Sequence, residues 1–333
     1  MIIRRSKFYF IFVTIFILFF CIYRISMNTL TLDESRFIGD FFISYGEGNI
    51  KLQYIIVNYY FATLYKISPY ANAFINTILT FIIGQKFIEN FSYLRGRRNT
   101  SYFFILFLLP ANIFFLATFL RDYNVFLMSL IVMIAIARGN YKWFYVSLIF
   151  TFFLRFEASL FFLIAFYISR YKHNFFRYMP FYLFFLFLLI EYGPLYEIIV
   201  NRTLAQYDSA MGLGVFEFPF ERKFAFLAVI INWPMYFFPM FNYEAKTIFH
   251  YFLLVDSVIS LILVIMAILF YSKNIFLRDR VYRFSVYMVS FALLAAIPES
   301  HELAIVRHKL MYMPFIFYLA FANFKNKISL WKK

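Results

Sequence analysis

One cysteine in 333 residues, Cys21, leaves the chain unable to close an internal disulfide, and its place inside an apolar run makes packing its natural role. Glycine and proline are sparse, nine of each, and the glycines are scattered. That scatter provides no phosphate-cradling loop and argues against a nucleotide-driven catalytic domain. No internal repeat, low-complexity linker or soluble domain stands out. None of the apolar runs alternates with polar residues at period two, which sets aside an outer-membrane barrel. Acid is the scarcest commodity: 17 Asp and Glu stand against 32 Lys and Arg, for a net charge of +15.

Apolar residues dominate instead. The chain is 64% hydrophobic, with 53 Phe and 28 Tyr, more than one soluble core hides. Runs such as 8–23, 101–120 and 257–271 approach the roughly 20 residues needed to span a hydrocarbon core of about 30 Å. The composition therefore predicts an all-α polytopic transmembrane bundle, one integral membrane domain over residues 1–333. No small-residue cleavage site follows the first run, so it reads as a retained anchor. The excess base would suit nucleic acid if it were continuous. It lies in short clusters between apolar runs (Arg4, Arg5, Lys7; Arg95, Arg97, Arg98; Lys172, Arg177; Arg278, Arg280, Arg283; 325–333), which fits cytoplasmic loops against anionic lipid and no nucleic acid partner.

Placing those clusters inside predicts about ten crossings with both termini cytoplasmic. Residues 52–66 are then interfacial or re-entrant, as are 223–243 with Pro234 and Pro239. Residues 143–169 become two short helices meeting at Arg155-Phe156-Glu157. The outer loops are 27–69, 194–222 and 299–309.

The first outer loop holds four of the scarce acids, Asp33, Glu34, Asp40 and Glu47. The same face gathers Arg121, Asp122, Arg155, Glu157, Arg202, Arg307 and His308. Acids deprotonate an attacking hydroxyl or protonate a leaving oxygen, and planar guanidinium groups grip two oxygens of a phosphate. Plainer readings exist for each: helix capping for Asp33 and Glu34, a hydrated turn for Arg121-Asp122, a structural ion pair for Arg155 and Glu157, snorkelling for Arg307 to Lys309. His301 and Glu302 are too few for a metal site, and no cofactor is expected. Asp256, mid-span, reads as hydrogen-bonded within the bundle.

The order of these features resembles the integral-membrane glycosyltransferases of the GT-C superfamily and the O-antigen type polysaccharide polymerases. The matching pieces are Asp33-Glu34 after the first span, Ser68-Pro69-Tyr70-Ala71, Asn76, Arg95 to Arg98, Leu109-Pro110, Phe119-Leu120-Arg121-Asp122, Leu154-Arg155-Phe156-Glu157 and Arg307. The resemblance implies a GT-C-like fold in a bacterial inner membrane and a substrate carried on polyprenyl phosphate or diphosphate. It implies Asp33 or Glu34 as the acid that activates the acceptor, arginines on the lipid phosphate, and other polysaccharide-assembly proteins as partners. A polymerase of lipid-linked repeat units is the favoured reading; a single-sugar transferase and a lipid-linked oligosaccharide transporter are the alternatives. The outer loop lacks the polymerases' usual arginine-to-glycine spacing.

The tracing yields a direct expectation. In a cysteine-free background, a cysteine at position 206 is labelled by an impermeant maleimide from outside the cell and one at position 96 is not; the reverse pattern overturns the tracing.

Overall fold

The structure, a computed structural model, describes residues 11–19, 21–22, 52–93, 102–118, 120–171, 248–296 and 307–322, with a few single positions between 180 and 192. Among them every regular element is helical. The chain divides into two compact units, 1–164 and 165–333.

The first unit opens with helical residues 11–19 and 21–22, which bury Val13, Ile17 and Cys21 at a four-residue spacing along one face. Helix α1 (Leu52–Ile67) ends where Ser68 precedes Pro69, a position disfavoured for helix. The Ser68 hydroxyl accepts from Tyr70 N and its carbonyl from Ala71 N, starting α2 (Ala71–Tyr93) within one turn. Val57, Phe61 and Leu64 of α1 pack with Ala71 and Ile75 of α2 and with Phe153 and Leu154.

Helix α3 (Tyr102–Phe107) stops before Leu109, and α4 (Pro110–Ala117) begins on a proline, whose fixed φ and missing N–H suit a first turn. Asn112 of α4 donates its amide back to Leu106 O, a carbonyl that the end of α3 leaves open. After α4 the chain bends by 117° into α5 (Asp122–Arg138). Then Gly139, at φ 66°, sends its N–H and that of Asn140 back to the carbonyls of Ile136 and Ala135. Asn140 caps α6 (Tyr141–Leu154) by accepting from Trp143 N at 3.5 Å. Only a left-handed residue makes this two-residue reversal, and α5 and α6 return against each other along their lengths. At Arg155 the backbone is extended (φ −158°, ψ 105°) before α7 (Phe156–Ile168) begins.

The second unit contains the end of α7, then α8 (Ile248–Leu269), α9 (Lys273–Arg278), α10 (Arg280–Ala296), a 3₁₀ turn at Leu310–Tyr312 and α11 (Met313–Ala322). Ser272 and Asp279 cap α9 and α10: Ser272 accepts from Ile275 N, and Asp279 from Val281 N and Tyr282 N. The run from Lys309 to Phe321 is buried without interruption. An all-round apolar helix requires that burial, so α11 forms the core of its unit, against α8 and α10.

By length and composition one helix, residues Ala71–Phe91, is apolar enough to cross a membrane, and the bent α4 and α5 pair passes the same measure together. Tyr141–Leu154, Phe156–Ile168 and Leu254–Leu269 are shorter apolar helices. The described residues thus supply one or two spans of full length, and the expectation of about ten rests on the charge tracing alone.

Gly139→Ala tests the α5 to α6 turn. A Cβ there meets nothing within 4 Å, so the cost is the left-handed backbone, about 1 kcal/mol, with Gly139→Asn costing less. A drop in thermal midpoint in that order is the expected result.

Candidate functional site

In a helical hairpin, residues equally far from the turn come to rest side by side. Asp122 begins α5 and Arg155 follows the last residue of α6, nearly equal distances from Gly139 along the two arms. They meet: Arg155 Nη2 lies 2.8 Å from Asp122 Oδ1, with side chains 9% and 1% exposed. Asp122 lies in the first turn of α5, where the helix dipole favours a carboxylate. Arg155 occupies the extended residue that separates α6 from α7. The ion pair therefore joins two interruptions of helix, and it closes the open end of the hairpin.

Polar groups of α2 line the same region. Asn72, Asn76 and Thr80 repeat every four residues, which sets them on one face. The Asn72 amide donates to Thr118 O, and the Asn76 amide to Leu116 O at 3.0 Å. These carbonyls belong to the end of α4, where the helix stops and its last C=O groups lose their partners. One turn further on, Thr80 Oγ1 shares a 2.7 Å hydrogen bond with the Tyr123 hydroxyl. All of these side chains are buried, so the break before Arg121 is held open by donors from a neighbouring helix.

The second unit has its own buried pair. Lys309 Nζ stands 2.6 Å from Asp256 Oδ2, and the side chains are 0% and 1% exposed. Ser260, one turn after Asp256, donates to the Asp256 carbonyl and also touches Met313 Sδ at 3.8 Å. The pair fixes the approach to α11. Lys309 directly follows Arg307 and His308, both half-buried. Residues two apart on a helix differ by about 200° in direction, so with Lys309 turned inward Arg307 takes the opposite side.

Of the residues singled out in the sequence, Asp122 and Arg155 come together. Arg121 is half-buried beside Asp122 in the chain, and Glu157 is exposed in the first turn of α7. The partner of Arg155 is thus Asp122 across the hairpin, not Glu157 two residues on. Arg307 and His308 belong to the other unit. Asp33, Glu34 and Arg202 lie outside the described residues, as do Asp40, Glu47, His301 and Glu302. Asp256 has an ionic partner as well as the expected place inside a helix bundle. Sequence reasoning passed over Asn72 and Thr80, whose signal was the four-residue spacing with Asn76, and the pairing of Asp256 with Lys309, which no spacing announces.

Chemically, the Asp122 carboxylate is an acceptor paired with a guanidinium. That guanidinium has five N–H donors, and its contact with Asp122 engages one nitrogen. Among the described residues no three His, Cys, Asp or Glu side chains stand together as a metal site. The chain matches no protein-family model, no curated protein and no solved structure.

A buried pair is expensive to break and cheap to replace as a unit. Asp122→Asn and Arg155→Gln are each expected to cost about 3–5 kcal/mol, and the double replacement Asp122→Leu with Arg155→Met to recover most of it. Thermal unfolding of the four detergent-solubilised proteins measures this. Additive losses would show that the two side chains do not act as a pair.

Proposed function

We propose that the protein is a membrane-embedded polymerase of cell-surface polysaccharide, acting on repeat units carried by polyprenyl diphosphate at the periplasmic face of a bacterial inner membrane. The observation that carries the reading is the meeting of Asp122 and Arg155, beside Arg121, at coincident helix breaks inside an apolar unit. Ionisable groups amid apolar helices are costly and are kept where they act on a substrate or pair to support a site. Trp143, Ile149 and Phe150 on α6, and Ile262, Ile265 and Ile268 on α8, present large apolar side chains outward, which water would penalise and lipid accepts. About ten crossings, with both termini cytoplasmic, remain the topology this reading requires.

In this mechanism Asp33 or Glu34 accepts the proton of the attacking sugar hydroxyl as the new glycosidic bond forms. The bond from the anomeric carbon to the diphosphate oxygen breaks, and the diphosphate leaves with the electron pair. Arginines stabilise it, and in the first unit these are Arg121 and Arg155, with Asp122 orienting Arg155. The donor supplies its own leaving group, so neither nucleotide nor cofactor is needed. Transfer of a single sugar from a polyprenyl phosphate uses the same groups. A transporter of lipid-linked oligosaccharide is the second reading, favoured by the same broken helices, since transporters place substrates at such interruptions.

Deletion of the gene, followed by a gel of the surface polysaccharide, tests the proposal. Loss of long chains with one repeat unit retained is the expected result. Loss of one sugar from every unit would mean a single-sugar transferase, and lipid-linked units confined to the cytoplasmic leaflet would mean a transporter. In the complemented strain, Asp33→Ala and Glu34→Ala are expected to abolish elongation with the protein still inserted at normal amount. Unchanged chain length in both variants would remove the catalytic role from that pair.

A further inference from the structure

Arg283 has an uncommon duty for a residue in a basic cluster. It is buried, its Nε donates to Ser169 O at 2.8 Å, and its Nη1 donates to Phe276 O at 2.9 Å and Leu277 O at 3.0 Å. It thereby ties the end of α7 to the last turn of α9, using carbonyls that helix ends leave open. Ser169 and Leu277 are each followed by an arginine, so the tie carries Arg170 and Arg278 to the same end of the unit.

The neighbouring cations are arranged differently. Arg280 lies 4.4 Å above the Phe166 ring, and Arg170 lies 5.0 Å from the same ring and 5.3 Å from that of Tyr167. An aromatic face steadies a guanidinium without cancelling its charge. Arg170, Lys273 and Arg278 are exposed. The acid that directly follows Arg278, Asp279, is half-buried and accepts from Val281 N, Tyr282 N and the Tyr318 hydroxyl. This end of the unit therefore presents net positive charge.

Its surroundings are apolar. Ile265, Ile268 and Leu269 are exposed at the end of α8, three to seven residues before Ser272, and Tyr167 and Tyr171 are exposed at the end of α7. Exposed aliphatic side chains, then tyrosine, then base, is the order met on passing from a hydrocarbon core to anionic headgroups. A nucleic acid or a soluble anion would match the cations and leave the aliphatic apron unexplained.

We propose that residues 166–171 together with 265–280 form a binding surface for anionic phospholipid. Arg170, Lys273 and Arg278 contact headgroup phosphates, and Ile268, Leu269 and Tyr167 lie against acyl chains. The surface is independent of the glycosyl-transfer reading and serves whichever chemistry the protein performs, since it fixes the second unit against a leaflet of defined charge.

The test uses the full-length protein in neutral detergent, supplemented with equal amounts of phosphatidylglycerol or phosphatidylcholine, and follows the thermal midpoint. Phosphatidylglycerol is expected to raise the Tm by about 3–6 °C more than phosphatidylcholine. The triple variant Arg170→Gln, Lys273→Gln, Arg278→Gln removes most of that difference, and in phosphatidylcholine it lowers the Tm by no more than Arg170→Gln alone, which loses the ring contacts. Equal stabilisation by the two lipids overturns the proposal, as does a triple variant that retains the full difference. Inorganic phosphate reproducing the effect without lipid would mean a site for free anions, which also overturns it.

Discussion

A charge surrounded by hydrocarbon needs a partner within reach, and the Asp122 to Arg155 pair meets that need by tying together two places where helix stops. Arg155 reaches Asp122 from the residue at which α6 ends and before α7 begins. The extended backbone at Arg155 accommodates the pair. The stretch Thr151 to Ser159 contains neither glycine nor proline, and the Ser159 hydroxyl also spans the break by donating to Leu148 O at 3.0 Å. The contact closes the open end of a hairpin whose other end is set by the Gly139 turn.

A second rule runs through both units: helix ends inside apolar surroundings are completed by side chains. Asn72 and Asn76 serve the end of α4, Asn112 the end of α3, and Arg283 the ends of α7 and α9. In water, solvent would satisfy these carbonyls at little cost. Where solvent is scarce each one must have a donor from the protein, and the donors fall on residue types that otherwise look misplaced. Asn72 in an apolar helix and Arg283 near a helix start are both structural by this criterion. The consequence for function is subtraction: Arg283 leaves the list of cations available to a ligand, and Arg170 joins it.

Much of the helical layout was legible in the sequence because apolar runs are long and their punctuation is chemical. Pro69 and the basic turn at Arg138 mark boundaries, and the division at Arg155 was visible as charge inside an apolar run, whereas the run 101–120, read as one crossing, is divided before Pro110. The partner of Arg155 was less visible. Proximity in sequence suggested Glu157, whereas the hairpin delivers Asp122 from 33 residues away. Lys309 was grouped with Arg307 and His308 by adjacency, yet helical rotation turns it inward to Asp256. Adjacency in sequence says which residues share a turn of helix, and only packing says which of them face each other. The Asp33 and Glu34 loop is readable as an anomaly of composition, and its role depends on the chemistry proposed for it.

The hairpin also has a consequence in time. Ribosomes extend a chain at about 5–20 residues per second, and Arg155 is made 33 residues after Asp122. For roughly two to seven seconds the acid exists without this basic partner, at the leading end of an apolar segment. The Gly139-Asn140 turn is made within that interval, so once Arg155 emerges the pair needs only the closing of two neighbouring arms, a contact of short sequence range that forms quickly. The order of synthesis thus matches the order of need: the turn first, then the second arm, and last the charge that locks them together.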